Sequence, residues 1–476
     1  MNIIINGFVR EFMPVVQGLF QRLEVNRCIA LNTDPVEFPA SVEGEYYNWW
    51  DVKYASYSKV DWSQIPPLDR TILQEMADCE ATVLKMMERL EANLGPLTYE
   101  KRRWMYQRHL RYWNYILDAQ KIDLFISENI PHEVFDYVIY SLCRKKSIRT
   151  LMFYRMPTLP HKSVSRYLLE DIREHGKGIT EKCRELSQKY ASAAEIPLSE
   201  ASRAYIDEHT PGSKKTPAAF INAGDSRSFQ EKAVSKIGIG FRFLREMGLP
   251  YYWFLLQRAL DRRRARRYYD QNAIEPDFAK PYIYCALHYQ PEATTSPMAG
   301  EFVDQLLMIA LLSHIVPDCM KIYVKEHPRT SFFRTANYYR EILAMPNVQL
   351  IKSKTSTFKL IDNSVAVATG TGTAGWEAVL RLKPVLMFGY YIYQYAPRVY
   401  HINTAQDGIQ AIREILQADN VPVQNEYQRN LFLKATESIS IEGYLNWRYK
   451  EIATISAEEN IRRTIDALVE KIRELP

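Results

Sequence analysis

The stretch SVAVATGTGTAGWEAVLRLKPVLMF, residues 364–388, decides the fold. It predicts a buried strand over 364–369, a turn with glycine at 370, 372 and 375, a helix, and a second buried strand over 384–388. The chain has only 18 glycines in 476 residues, so three glycines within six positions mark a turn with a special backbone task. Strands joined by a helix in this way form parallel sheets covered on both faces.

The rest of the chain repeats this alternation of short apolar runs and helical patterns. Further strands are predicted at residues 3–5, 28–31, 123–126, 148–153, 281–287, 321–325 and 348–351. We therefore predict an α/β fold with two similar doubly wound domains. Two such domains would leave a cleft between the carboxyl ends of their strands, where ligands are expected.

Turn-rich and helical segments predict where these domains begin and end. The segment HTPGSKKTP at 209–217 is the strongest boundary signal. The predicted segments are an N-terminal α/β domain over 1–215 with a helical insertion at about 66–119, a basic helical linker over 216–275, a C-terminal α/β domain over 276–424, and a C-terminal helical segment over 425–476.

Composition narrows the class of protein. The chain has 61 Lys and Arg against 56 Asp and Glu, a net charge of +5 that does not indicate nucleic-acid binding. Its six cysteines form no CxxC pair, which argues against structural zinc and a disulfide framework. No signal peptide is evident, and no apolar run approaches the roughly 18 residues of a membrane span. We expect a cytoplasmic protein whose membrane contact, if any, is peripheral.

A basic cluster follows the aromatic-rich stretch 251–256. It is either a solvated helix face or a surface for anionic lipid head groups at the inner face of the cytoplasmic membrane. The cluster consists of Arg262, Arg263, Arg264, Arg266 and Arg267.

The glycine turn GTGTAG at 370–375 formally matches the dinucleotide fingerprint. That fingerprint needs an acidic residue after the next strand, and residues 389–402 contain no Asp or Glu. We predict instead that Gly370, Gly372 and Gly375 let the backbone N–H groups bind a phosphate or diphosphate at the positive end of the helix. The alternative is a turn that only packs the helix against its sheet. Three side chains near the turn have predicted roles: Thr371 and Thr373 as hydroxyl donors, and Glu377 either at ribose hydroxyls or stabilising the helix N-terminus.

Two further loops follow predicted strands of the same half. VKEHP at 324–328 presents Lys325 and His327, and LHYQPE at 287–292 presents His288, Gln290 and Glu292. The carboxyl ends of parallel strands meet at one edge of the sheet, so these loops and the glycine turn should converge there. Taken singly, each is also explained as an ordinary polar loop.

The N-terminal half offers IPHEVFDY at 130–137, in a helix predicted to open at Pro131. His132 and Glu133 would follow a strand and are candidates for acid/base or nucleophilic work at a sugar carbon. Helix capping is the alternative explanation. The spacing does not suit zinc, and no metal site is predicted. Glu11, after the turn at 6–7, is a weaker candidate of the same kind.

Taken in order, LHYQPE, Asp304–Gln305, YVKEHP and GTGTAGWEAVLRLKPVLMFG resemble the C-terminal half of bacterial capsule polysaccharide and lipopolysaccharide biosynthesis glycosyltransferases of the Kdo type. More distantly they are similar to bacterial sialyltransferases with an HP motif. The resemblance implies a GT-B architecture of two Rossmann-like domains, with the nucleotide sugar on the C-terminal domain and a C-terminal helix returning to the first domain. It also places His327 and Pro328 on the CMP part of a donor, and Thr371 and Thr373 on its phosphate.

The resemblance implies a glycosyltransferase that moves an acidic sugar, Kdo-like or nonulosonic, from a CMP donor to a lipid-linked or oligosaccharide acceptor, without a metal or a further cofactor. The acidic pair followed by glycine that supplies the base in sialyltransferases is absent, so Glu133 with His132 is nominated instead. The alternatives are a nonhydrolysing sugar-nucleotide epimerase, a glycerophosphotransferase, or a non-catalytic polysaccharide assembly or export subunit.

Overall fold

The computed structural model describes nine segments of the chain, which divide between two compact units. The described residues are 1–58, 60–156, 166–171, 176–210, 252–290, 292–327, 334–417, 422–445 and 455–474. The first unit comprises Met1–Met87, Thr98–Tyr205 and Asn430–Pro476, and the second comprises Glu88–Leu97 and Ile206–Arg429. Most of the predicted linker at 216–275 lies outside the described residues.

The strands are two to seven residues long. In chain order they are β1 (Asn2–Asn6), β2 (Arg27–Asn32), β3 (Glu43–Asn48), β4 (Leu124–Ser127), β5 (Arg149–Arg155), β6 (Arg166–Glu170), β7 (Tyr282–Ala286), β8 (Lys321–Lys325), β9 (Val348–Leu350), β10 (Ala366–Thr369), β11 (Val385–Met387), β12 (Val399–His401) and β13 (Ile441–Glu442).

The helices connect these strands and cover the sheets. In chain order they are α1 (Met13–Arg22), α2 (Trp49–Lys53), α3 (Arg70–Glu75), α4 (Ala77–Met86), α5 (Glu91–Leu94), α6 (Tyr99–Ala119), α7 (Phe135–Lys145), α8 (Lys177–Lys189), α9 (Glu200–His209), α10 (252–272), α11 (Gln305–Ile315), α12 (Ala336–Leu343), α13 (Thr357–Asn363), α14 (Thr373–Leu380), α15 (Ala405–Gln417), α16 (Pro422–Ile439) and α17 (Ala457–Glu474).

The first unit is built on a sheet with the order β13–β6–β5–β4–β1–β2–β3. Strands β1 to β5 pair in parallel, and β6 and β13 are antiparallel additions. One face of this sheet, including Ile5 and Ile126, shares a buried cluster with Leu19 of α1 and Leu468 of α17. Helix α17 packs closely enough that a Cβ on Gly18 would lie 2.4 Å from the Ile465 side chain.

The second unit has a fully parallel sheet with the order β12–β11–β10–β7–β8–β9. Ile283 and Ala368 on neighbouring strands share its buried core with Met308 and Leu312 of α11. In both sheets the chain order reverses beside the first strand, between β1 and β4 and between β7 and β10. In doubly wound sheets, ligands bind at the carboxyl ends of the strands on either side of such a reversal.

The predicted α/β class with two doubly wound sheets is confirmed. The second sheet is fully parallel, and the first is parallel except for β6 and β13. The predicted strands are present, but β3, β6, β12 and β13 were missed. β3 is the polar sequence EGEYYN, which is partly exposed because it lies at a sheet edge. The others are antiparallel additions or very short, so their sequences carry no long apolar run.

The prediction of a helix starting at Pro131 is wrong, since α7 begins at Phe135. The Asp136 carboxylate accepts hydrogen bonds from the N–H groups of His132 and Glu133, and Val134 has a positive φ of 76°. These contacts hold residues 132–134 as a turn. Among the described residues, no helix combines the length and the apolar character needed to cross a membrane.

Candidate functional site

His288 holds together the carboxyl ends of β7 and β10. Its Nε2 atom accepts a hydrogen bond from the Gly370 N–H at 3.0 Å and lies 3.0 Å from Thr369 Oγ1. The Gly372 N–H donates to the same hydroxyl oxygen at 3.0 Å. The structure therefore brings the LHYQPE loop and the glycine turn into direct contact at the point where the strand order reverses.

The His288 ring is neutral at ordinary pH. Burial lowers its pKa to about 3, and the positive charges of Arg334 and His327 act in the same direction. Because Nε2 accepts from a backbone N–H, the ring proton is assigned to Nδ1. The ring is thus a fixed acceptor for the glycine turn and keeps one N–H donor.

The glycine turn presents backbone N–H groups at the start of α14. The N–H groups of Gly370 and Gly372 bond inward, whereas those of Thr371, Thr373 and Ala374 meet no acceptor in the described part of the chain. Together with the positive end of α14 they form the geometry that binds anions. The Thr373 side chain is exposed here, while the Thr371 hydroxyl donates to the Thr294 carbonyl.

The turn is too crowded for larger residues at two of its glycines. A Cβ on Gly375 would lie 2.6 Å from the Tyr393 hydroxyl, and one on Gly372 would lie 2.9 Å from Thr369 Oγ1. The Tyr393 hydroxyl donates to the Gly372 carbonyl at 2.7 Å, which fixes the turn from the far side. Gly370 has more room, with its nearest contacts at 3.3 Å.

Lys325 and Glu377 are two buried charged residues that interact electrostatically. Lys325 Nζ donates to the Thr355 carbonyl at 2.7 Å and to Thr357 Oγ1 at 2.8 Å. Burial lowers the pKa of Lys325 to about 8, and Glu377 opposes that shift. Burial also raises the pKa of Glu377 to about 7, against the effect of Arg381 and Lys325.

Of the two roles predicted for Glu377, stabilisation of the helix N-terminus is wrong, because that role requires a place in the first helical turn. Glu377 is the fifth residue of α14, and its side chain is buried. The carboxylate is therefore not placed beside the free N–H groups of the helix start.

A buried ion pair supports the ends of β7 and β8. Arg334 Nη1 lies 2.7 Å from Glu326 Oε1, and its other terminal nitrogen donates to the His288 carbonyl at 2.7 Å. Glu326 also accepts from the Tyr339 hydroxyl and from the His327 N–H. The His327 ring centroid lies 6.0 Å from that of Tyr289. Pro328, the other half of the predicted HP pair, lies outside the described residues.

Gln290 and Glu292, the other candidate residues of the LHYQPE loop, form hydrogen bonds with nearby protein groups. Gln290 donates to the Val303 carbonyl at 2.8 Å and accepts weakly from Gln305 at 3.4 Å. Gln305 Oε1 in turn accepts from the His288 N–H at 2.7 Å. Glu292 is exposed, and its carboxylate accepts from the Thr294 hydroxyl at 3.1 Å.

In the first unit, His132 and Glu133 lie in the turn before α7. Glu133 Oε2 forms an ion pair with the largely buried Lys53 at 2.6 Å, and its other oxygen lies 3.6 Å from His132 Nε2. Burial, assisted by Glu133, raises the pKa of Asp136 to about 7 despite its three backbone hydrogen bonds. Glu11 is an exposed residue of a short 3-10 helix.

Several residues of this arrangement were missed from sequence alone. Thr369 is the last residue of a predicted strand, and its position at a strand end was a weak indication of a site residue. Tyr393 lies in the aromatic run after β11, and that composition was an equally weak indication. Arg334 had no signal, because its role depends on a contact across 46 positions with His288.

The fold and this sheet edge define an α/β protein with two doubly wound units. The second unit carries a glycine turn with open backbone N–H groups at the point where its strand order reverses. Residues 294–398, which include that turn, match the family of capsule polysaccharide biosynthesis proteins. The predicted relationship to this family is confirmed over this segment, which is less than half of the chain. No curated protein sequence matches the chain at a significant level.

Solved structures align along most of the chain at low similarity. They include a UDP-GlcNAc 2-epimerase from Methanocaldococcus jannaschii (12% identity, TM-score 0.26, covering 92% of this chain and 99% of that chain). A beta Kdo 2,7 transferase, KpsC, from Thermosulfurimonas dismutans has 12% identity and a TM-score of 0.33, covering 98% and 99%. A glycosyltransferase from Rickettsia africae has 10% identity and a TM-score of 0.29, covering 100% and 99%. At these scores the alignments carry no argument about activity.

Proposed function

We propose that this protein is a glycosyltransferase of surface polysaccharide biosynthesis that uses a nucleotide-sugar donor. The observation that carries the proposal is the family match over 294–398, because that segment contains the turn whose N–H groups are open to an anion. A leaving nucleotide gains negative charge as the sugar departs. Fixed N–H donors and a helix N-terminus stabilise such charge in the transition state.

We further propose that the donor is a CMP-linked acidic sugar, Kdo-like or nonulosonic, and that the acceptor is a lipid-linked or oligosaccharide glycan. The HP-motif resemblance at His327 supports the cytidine part. The donor phosphate would lie at the open N–H groups of Thr371 and Thr373, beside the exposed Thr373 side chain. In this scheme the helix start and Lys325 offset the phosphate charge, and transfer needs no bound metal.

Glu133 with His132 remains the proposed acid/base pair. Its support is the carboxylate–imidazole separation of 3.6 Å at the end of the loop after β4. The other carboxylate oxygen of Glu133 forms an ion pair with Lys53 at 2.6 Å.

Purified protein incubated with CMP-, UDP- and GDP-sugars tests the proposal. We expect CMP to raise the melting temperature, and a CMP-sugar to lose its sugar to an acceptor glycan with release of CMP, in the presence of EDTA. Product mass separates transfer from epimerisation, which leaves the mass of the nucleotide sugar unchanged. Stabilisation by no nucleotide, or binding without turnover of any donor, would contradict a transferase.

Peripheral contact with anionic membranes is a second part of the proposal, carried by α10. This helix exposes Trp253 (62%) and Leu256 (50%) ahead of its arginine cluster. Exposed aromatic and apolar side chains followed by basic ones are typical of helices that lie at a membrane interface. We expect co-sedimentation with phosphatidylglycerol vesicles but not with phosphatidylcholine vesicles, weakened by Arg263→Ser with Arg267→Ser. Arg413→Ser, at an exposed site on α15, is the control.

A further inference from the structure

In the first unit, the parallel strands end at an edge of the sheet where buried polar side chains lack hydrogen-bond partners among the described residues. Asn32, the last residue of β2, is fully buried, and neither atom of its side-chain amide has a hydrogen-bond partner within the described ranges. Asn6, the last residue of β1, donates to Ser127 Oγ at 3.0 Å, but its buried Oδ1 also has no partner there. A buried polar atom without a partner costs about 1–3 kcal/mol, so such atoms together call for an explanation.

Glu128 follows β4 at the same edge and leans over Gly7. An ideal Cβ on Gly7 would lie 2.5 Å from Glu128 Cγ and 3.3 Å from its Oε1, and Gly7 has a φ of +86°. Gly7 therefore serves two purposes: it permits the turn after β1, and it leaves room for the glutamate. In the described part of the chain, Glu128 has neither an ion pair nor a side-chain hydrogen bond.

The pairing of the strands places Asn32 and Glu128 on either side of Gly7. Asn32 is two residues beyond Ala30, which shares its face of the sheet with Ile5 and Ile126. Glu128 is two residues beyond Ile126. Strand β1 lies between β2 and β4 in the sheet, so the backbones of β2 and β4 are about 10 Å apart. A residue without a side chain lies between an amide and a carboxyl group.

The chemistry of these three residues favours a hydroxyl ligand over an anion. An amide offers a donor and an acceptor, and a carboxyl group donates when it is protonated and accepts when it is ionised. Both groups suit the O–H groups of a sugar. No basic residue contributes to the electrostatics of Glu128: burial alone raises its pKa, to about 8. In its ionised form, which dominates above about pH 8, a carboxylate without a neighbouring cation would repel a phosphate and would accept the proton of a hydroxyl.

We propose that Asn32, Gly7 and Glu128 form the acceptor-sugar subsite, and that Glu128 takes the proton of the attacking hydroxyl. Glu128 has this role in place of Glu133, whose carboxylate is already ion-paired with Lys53. This inference rests on the proposed transferase function. The acceptor oxygen forms a bond to the anomeric carbon as its proton moves to Glu128. The bond from that carbon to the donor phosphate oxygen breaks, and its electron pair leaves with the nucleotide.

Glu128→Gln keeps the shape of the side chain and removes the proton acceptor. We expect sugar transfer to fall at least a hundredfold, because positioned general bases contribute about 10²–10⁴ in rate. Stabilisation of the variant by CMP should equal that of the wild type. Glu24→Gln, at an exposed site of the same unit, is the matched control. Transfer by Glu128→Gln within threefold of the wild-type rate would overturn the role of Glu128.

The variant Asn32→Leu tests whether Asn32 contributes to acceptor binding rather than to the stability of the fold. Because the amide is buried without a protein partner, its replacement by an apolar side chain should leave the melting temperature unchanged or higher. The KM for acceptor should nevertheless rise at least tenfold, with the donor KM unchanged. A variant with a wild-type acceptor KM would overturn the subsite.

A binding experiment judges the subsite even if the protein transfers no sugar. Saturation-transfer NMR with lactose and with a β-Kdo-terminated disaccharide should detect binding of at least one glycan to the wild type and loss of that binding in Asn32→Leu. Equal binding to both proteins, or binding of neither glycan, would refute the subsite. Glycan binding without transfer would instead refute the proposed enzyme and leave the subsite standing.

Discussion

Replacing Arg334 by Met should destabilise the second unit by about 4 kcal/mol. The Glu326 side chain is only 1% exposed, so its carboxylate cannot turn to water when its partner is lost. Breaking a buried ion pair by removing one partner costs about 3–5 kcal/mol, because the other charge stays buried. The bond from Arg334 to the His288 carbonyl would be lost as well.

A second substitution separates the buried charge from the lost packing. In Arg334→Met with Glu326→Gln, the glutamine still accepts from the Tyr339 hydroxyl or the His327 N–H, and no unpaired charge remains. We therefore expect the double variant to recover at least about 2 kcal/mol relative to Arg334→Met.

Hydrogen exchange measured by mass spectrometry is the appropriate assay, because it reports each unit separately. Peptides covering β7 and β8 should exchange about a thousandfold faster in Arg334→Met, at about 1.4 kcal/mol per tenfold. Peptides covering β1 and β4 are the internal reference. Equal exchange in the single and double variants, or wild-type protection in Arg334→Met, would refute the reasoning that an unpaired buried charge sets the cost.

Three further predictions follow from the two sheet edges. Gly375→Ala should cost about 1–3 kcal/mol and weaken nucleotide binding, because its Cβ would overlap the Tyr393 hydroxyl; calorimetry with and without CMP checks both effects. Nucleotide affinity should fall as pH rises through about 8, where Lys325 loses its charge, and titration calorimetry should find this fall reduced in Lys325→Met. Glu128 has a folded-state pKa of about 8 against an ordinary value of 4.5, so the folded protein binds the extra proton and stability should decline from about pH 4.5 to 8. Urea unfolding should show a weaker decline in Glu128→Gln, and an unchanged slope would contradict the assigned cause.

Much of the second unit was predictable because its signals are local. Short apolar runs such as 321–325 and 364–369 identify buried strands from a few residues. Clustered glycines mark a turn whose backbone packs closely against neighbouring groups. The parallel arrangement then places His288 and the glycine turn at one edge without any further information. The predicted start of the helix at Pro131 failed because one buried side chain, Asp136, holds the preceding residues in a turn.

The sequence by itself determined the α/β class, the parallel sheets and the position of the glycine turn, because hydrophobic period and glycine placement act over short distances along the chain. Only the tertiary structure decided which side chains meet at each edge. Arg334 reaches His288, and Glu128 reaches Gly7, through strand pairings between residues far apart in sequence. Those contacts depend on the register of the strands and on which face each residue occupies, and no local pattern encodes either.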